Sequence, residues 1–179
     1  MHQDKGPNNC VTYRPIGVIH SPFTERSGMP IQAAFAADAV GTVELEPEYA
    51  PGLKDLEGFS HIMLVYHFHL SKGYALQVRP FLEEEVHGVF ATRAPRRPNS
   101  IGISVARLER VEGNVLHISG VDVVDGTPLL DIKPYVPGFD DRGKVRIGWL
   151  EGRMDAARAR NADDRFAERD EQHDRRESA

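Results

Sequence analysis

The feature that most restricts the fold of this chain is a succession of strand-length runs between Val11 and Val136. They read YRPIGVIHS, GTVELEP, SHIMLVYHFHL, GVFATR, GISVARLERV, NVLHISGVDVV and LLDIKPYV. Turn chemistry separates them, in the form of Ser-Gly, Pro-Gly, Glu-Gly-Asn and Asp-Gly-Thr-Pro. Glycine admits positive φ at such corners, and proline presets its own φ. No long amphipathic helices alternate with the runs, so the pattern predicts an all-β fold, a single-sheeted antiparallel β-barrel. A doubly wound sheet is disfavoured, and no G-x-G-x-x-G stands at a strand-to-helix turn.

The run His61–Leu70 carries the most information about faces, because a strand sends alternate residues to opposite sides. Its even positions, Ile62, Leu64, Tyr66, Phe68 and Leu70, form a continuous apolar face that predicts core. Its odd positions, His61, Met63, Val65, His67 and His69, are too polar for a second buried face and predict a cavity, an interface or a site.

Outside the runs, residues 1–10 are polar and aperiodic and are expected to be a flexible leader, while 11–140 are expected to form the barrel domain. Residues 141–179 are read as a last strand or linker followed by a charged C-terminal tail, helical or disordered. From 151 to 179 that tail holds nine acidic and seven basic side chains, which cannot build a core. Leu150, Met154 and Ala157 give it one weak helical stripe. The single cysteine, Cys10, rules out an intrachain disulfide framework and a cysteine-rich zinc site. No apolar run approaches the roughly 18 to 20 residues that cross a bilayer, and the start is polar, so the expectation is a soluble, cytoplasmic protein with no membrane partner. A net charge of -5 disfavours bulk adhesion to nucleic acid. Surface fields are confined to a Debye length of about 8 to 10 Å, so charge has to be read locally.

Two segments concentrate candidate chemistry. In GVFATRAPRRPNSIG, Gly88–Gly102, the chain leaves a strand at Arg93 and is forced into a loop by Pro95 and Pro98, which cannot donate to a ladder. Arg93, Arg96 and Arg97 then crowd around Asn99, Ser100 and Gly102, the last permitting close backbone approach. An Arg-rich solvated turn would also explain that composition. In VDVVDGTPLLDIKPY, Val121–Tyr135, Asp122 and Asp125 end an apolar strand, and Asp131, Lys133 and Tyr135 sit on the next. Here a turn-initiating Asp125 and a cross-strand Asp131–Lys133 pair are the plain structural alternatives.

These two segments, together with IGVIHSPF (Ile16–Phe23), GMPIQ (Gly28–Gln32) and LEGFSHIMLVYHFH (Leu56–His69), resemble the TrmO/TsaA family over about residues 13–139. Several ordered motifs at compatible spacing are far more specific than any one of them. The resemblance implies a homodimer that uses S-adenosyl-L-methionine to methylate N6-threonylcarbamoyladenosine beside the anticodon of a threonine tRNA. Carried over position by position, it implies a cofactor site of Pro30, Ile31, Gln32, His69, Leu70, Arg93, Ile103, Ser119, Gly120, Val121 and Asp122. Two positions depart from the family pattern: Ile31 stands where a basic residue is expected, and Leu70 where glutamine is expected.

Methyl transfer asks mainly for placement of the acceptor nitrogen in line with the S-methyl bond, and for a group to take that nitrogen's proton. Within the resemblance, Arg93 is expected to fork onto the cofactor's carboxylate, and the backbone of Ser119–Asp122 to hold its adenosine. Asp122 or Asp125 is expected to balance the sulfonium or take the proton, with His69 as an alternative base. Arg96, Arg97, Asn99, Lys133 and Tyr135 are the expected tRNA or substrate contacts. One rival reading is a metal-binding protein built on His61, His67 and His69, with His87 or His117. That reading is weakened by the spacing of about 6.6 to 7 Å between i and i+2 on a strand. The other rival is an S-adenosylmethionine-binding module whose acceptor is not tRNA. No metal is expected.

Overall fold

The computed structural model describes residues 10–25, 29, 39–82, 84–154 and 162. Eight strands are present among them: β1 (Gly17–His20), β2 (Val40–Leu45), β3 (His61–His67), β4 (Gln77–Val78), β5 (His87–Gly88), β6 (Ile101–Glu112), β7 (Val115–Ser119) and β8 (Thr127–Pro134). Six of them close a barrel in the order β1-β2-β7-β6-β3-β8, every neighbouring pair antiparallel. The expected single-sheeted antiparallel barrel is the observed fold. Closure leaves its strands without a free edge, which removes a ready template for aggregation.

Alternation explains the core. Ile62, Leu64 and Tyr66 of β3 point inward and are buried, as are Ile19, Val43, Leu45, Leu116, Ile118 and Leu129 from the other strands. The inward face of β6 is by contrast small: Gly102, Ser104 and Ala106 stand in register with Tyr66, Leu64 and Ile62. Large side chains on one strand thus fill the space that small ones on its neighbour leave, which lets a narrow barrel pack without voids. β6 turns into β7 through Gly113, whose φ of +63 suits the first central position of a tight hairpin. Asn114 then ties that corner to β2, its Nδ2 donating to the Leu45 carbonyl at 2.6 Å.

Some expectations need correction. The β3 strand ends at His67, so Phe68 is only partly buried against the core and Leu70 is exposed in a turn. The apolar face is therefore shorter than the sequence run. Val121, Asp122 and Asp125 do not end a strand: β7 stops at Ser119, and Gly120, with φ +78, turns the chain across the barrel end. Val121 and Val123 still enter the core from this loop. GVFATR is not a barrel strand either, since β5 spans only His87–Gly88 and pairs with β4 in a separate two-stranded sheet. Beneath that sheet lies a small core of Val78, Val89 and Ala94.

Among the described residues no strand follows Pro134. A single helical turn, α1 (Pro137–Asp140), and a 3-10 turn at Gly148–Leu150 take its place. The indole of Trp149 stacks on His87, with ring centroids 4.8 Å apart, and its Nε1 donates to the Ala91 carbonyl at 2.8 Å. Further on, the Ala162 N–H donates to the Met29 carbonyl at 2.7 Å. The post-barrel segment is thus fastened to the rest of the molecule at two points. Residues 1–9, and Ala157 of the expected helical stripe, lie outside the described residues. No helix among those described is long and apolar enough to cross a membrane.

Candidate functional site

The barrel end closed by the 120–126 loop holds a buried polar chain. Ser104 Oγ donates to Asp122 Oδ1 at 2.6 Å, and Tyr66 Oη lies 3.0 Å from Ser104 Oγ. Ser104 has one hydroxyl hydrogen and spends it on the carboxylate, so the tyrosine must donate to the serine. Burial, and then the Asp122 carboxylate, push the Tyr66 hydroxyl well above the usual tyrosine range, while the Arg93 charge acts in the opposite sense. Tyr66 therefore remains a proton donor at any physiological pH. Arg93 and Asp122, from the two candidate segments, act on the same hydroxyl.

Room for Tyr66 comes from Gly102. A Cβ there would land on the tyrosine ring, 2.6 Å from Cζ, and 2.8 Å from Cζ of Phe68. The two rings meet edge to face with centroids 5.4 Å apart. The absence of a Cβ at Gly102 is thus what this packing requires.

The Arg loop is laced to the turn after β3. The Phe68 N–H donates to the Ser100 carbonyl at 2.8 Å, Ser71 Oγ to the Pro95 carbonyl at 3.1 Å, and the Ala75 N–H to the Arg96 carbonyl at 3.2 Å. Arg97 directs Nη1 to the carbonyls of Val89 and Thr92, at 3.1 and 2.9 Å, adding to the Thr92 bonds that already close the Val89–Ala91 turn. Its guanidinium thus helps to organise the loop. His69 lies in the laced turn, half-buried, and burial followed by the nearby His67 lowers its pKa. It stays neutral near pH 7 and keeps a lone pair.

Other candidates are placed elsewhere. Asp125 accepts the Ser21 N–H at 3.1 Å and pairs with His20 Nδ1 at 3.2 Å, clasping the β1 end to the loop. The Ser21 amide is the main cause of its lowered pKa. A depressed carboxylate stabilises the fold above its unfolded value of about 3.9 and loses that contribution as pH falls through the folded value. An Asp125→Asn variant is accordingly expected to lose stability above about pH 4 but to converge with the parent in stronger acid, as acid titration of the unfolding transition would reveal.

Lys133 pairs with Asp131 at 2.8 Å, and Tyr135 meets His61, ring centroids 6.4 Å apart. His61 and Tyr66 are about 16 Å apart along β3, so Tyr135, whose N–H donates to the His61 carbonyl, stands at the far end from Asp122, while Lys133 and Asp131 lie opposite Met63 and Val65 midway along the strand. Ile103 is exposed on the outer wall of β6, facing away from Ser104. Ser119 Oγ is occupied by Glu109 Oε1 at 2.6 Å, and Asn99 is exposed, its carbonyl accepting the Ile101 N–H. Pro30, Ile31 and Gln32 lie outside the described residues.

Among the described residues no three His, Cys, Asp or Glu side chains are grouped to hold a metal. His61 Nδ1 faces Ser60 Oγ, and His67 Nδ1 donates to the Ser100 carbonyl. Tyr66 and Ser104 are the polar participants that sequence reading passed over, one hidden in an apolar face and the other in an alternating strand. A small polar residue standing inward opposite a large one was the available signal.

Residues 18–141 match the tRNA-methyltransferase O N-terminal domain family. A probable S-adenosyl-L-methionine-binding protein of Pyrococcus abyssi is 60% identical over 156 residues, covering 87% of this chain and 85% of that one. The mouse tRNA (adenine(37)-N6)-methyltransferase is 40% identical, over 74% of this chain and 32% of its own length. The crystal structure of TrmO from Pseudomonas aeruginosa superposes with a TM-score of 0.66 at 43% identity, over 78% of this chain and 62% of that one. The chain thus spans under two thirds of the mouse and Pseudomonas proteins. With the barrel and the ordered motifs in common along most of its length, this chain belongs to the TrmO family.

Proposed function

We propose that this chain is an S-adenosyl-L-methionine-dependent methyltransferase that acts on tRNA, methylating N6 of N6-threonylcarbamoyladenosine beside the anticodon of a threonine tRNA. The observation that carries the reading is the hydrogen-bonded chain of Tyr66, Ser104 and Asp122 at one barrel end, where the Arg93 charge is also felt. The donor set suits a zwitterionic sulfonium ligand, since a guanidinium matches its carboxylate and a fixed carboxylate its positive charge. When bound, such a cofactor supplies an electrophilic methyl group.

What this chain adds is placement and proton handling. Arg93, an exposed residue of the Arg loop, supplies the guanidinium proposed to meet the cofactor's carboxylate. Ser104 holds the Asp122 side chain in one rotamer, where it can balance positive charge and accept the proton released by the acceptor nitrogen. His69, neutral in its turn, is the second group able to take that proton. Asp125 is given over to the His20–Ser21 clasp, which argues for Asp122 over Asp125 as the base. Arg96 is the arginine of the loop best suited to a phosphate or the threonyl carboxylate, because Arg97 is spent on carbonyls. A homodimer is supported by the outer wall of β3 and β6, where Ile103 and Val105 are exposed next to Val65 and Met63.

Arg93→Ala should remove one charge-assisted contact of about 1.5 to 3 kcal/mol, weakening cofactor binding by roughly 10- to 150-fold. Calorimetry on the folded variant measures this, and unchanged affinity rejects the role. The function itself is tested with labelled cofactor and total tRNA, with and without the threonylcarbamoyl modification. Transfer that depends on the modification is expected. Transfer only to a small molecule, or none with cofactor still bound, would favour a binding module, a reading that the Pyrococcus relative's name also supports.

A further inference from the structure

A phenylalanine that nothing in the fold requires stands beside the site. Phe90 is the middle residue of the 3-10 turn Val89–Ala91 and is 75% exposed, while its neighbour Val89 is fully buried. Local geometry asks only that this side chain point outward, and any polar residue would do so without leaving an aromatic ring in water. One side of the ring is occupied by a cation, with the Arg97 guanidinium carbon 5.8 Å from its centroid. Two carbonyls fix that guanidinium in place. Tyr74 and Leu76, on the segment entering β4, are 59% and 60% exposed, and the Leu76 carbonyl accepts the Val89 N–H at 2.9 Å. Phe90 is three residues from Arg93, which limits their Cα separation to about 11 Å.

Charge selects the occupant. The segment from Val86 to Ser100 carries three arginines, Arg93, Arg96 and Arg97, and no carboxylate, although the whole protein carries -5. A two-fold contact with a second copy through this patch would set its arginines against their own images. An anionic partner with flat apolar faces fits instead. We infer that Phe90 is a stacking platform for an unpaired base of the RNA substrate, with Arg97 holding the ring and the neighbouring arginines facing the backbone. An anionic strand supplies the charge match, and every base offers a π-face whatever its sequence. The inference rests on the reading that the methyl acceptor is RNA, and it names the part of that RNA which this face would take: an unpaired loop rather than a duplex.

The test uses the full chain and two labelled RNAs, a hairpin with an unpaired loop and a fully paired duplex of equal length. Wild type is expected to prefer the hairpin. Phe90→Ala and Phe90→Leu are each expected to weaken hairpin binding by about 5- to 150-fold, the range for loss of one base–aromatic stack. Phe90→Trp should restore it, with cofactor affinity unchanged throughout. Equal hairpin affinity in wild type and Phe90→Leu overturns the inference alone and leaves the methyltransferase reading intact. A parallel loss of cofactor affinity overturns it in favour of a structural role. Loss of self-association with RNA affinity retained overturns it in favour of a second copy. Wild-type protein that binds neither RNA removes the parent reading, and this one with it.

Discussion

Asp122→Asn is expected to slow methyl transfer by about 10²- to 10⁴-fold, the range for loss of a positioned general base. Asparagine keeps the shape, and its carbonyl can still accept from Ser104 Oγ, so the barrel end should remain closed and the unfolding transition nearly unmoved. What disappears is a negative charge and a proton acceptor. Single-turnover assays at saturating cofactor isolate the step, and calorimetry separates it from any loss of cofactor affinity. Ser104→Ala makes a useful contrast, because it keeps the carboxylate but frees its rotamer and leaves the Tyr66 hydroxyl without its serine partner. That change should cost stability of about 1 to 3 kcal/mol with a smaller kinetic loss. If Asp122→Asn keeps the full rate, the proton leaves by another route, and His69 becomes the first residue to replace.

Gly102→Ala should cost considerable stability while removing no functional group. The added methyl would meet the Phe68 ring and the Tyr66 ring, the latter buried on β3 with no open space to swing into. Overpacking of this kind costs about 1 to 3 kcal/mol, which for a chain of this length lowers the melting temperature by about 2 to 12 °C. The tyrosine is also pushed off Ser104, so cofactor affinity should fall together with stability. Gly88→Ala is the matched control in the same signature segment, since nothing lies within 4 Å of a Cβ there. Equal melting temperatures for the two variants would show that the barrel end yields more easily than its packing implies.

Six of the seven strand-length runs became barrel strands, because period-2 alternation is a local property that reports directly on which face is buried. The site was legible only in halves. Arg93 and Asp122 stood out as charged residues flanking apolar text, but the chain that holds Asp122 runs through Tyr66 and Ser104, which are 38 residues apart, with Ser104 18 residues from Asp122. No spacing rule connects residues that meet only when a sheet closes. Tyr66 was readable as core, which it is, while its hydroxyl's partner depended on register. Arg97 shows the opposite limit: its charge was plain, yet the Val89 and Thr92 carbonyls it serves belong to a 3-10 turn and its cap in a run that the sequence read as a strand. Trp149 was overlooked because its surroundings are polar, although a large aromatic in such text commonly marks a docking point.

That residue is the chain's only tryptophan, and its indole is stacked on His87 and bonded to Ala91, next to Phe90 and the Arg loop. The molecule therefore carries a native optical reporter beside its proposed binding face. Its emission comes from one defined environment, needs no dye, and sits where ligand occupancy would be felt. Titrations of cofactor and of RNA can each be followed in unmodified protein through the same single signal.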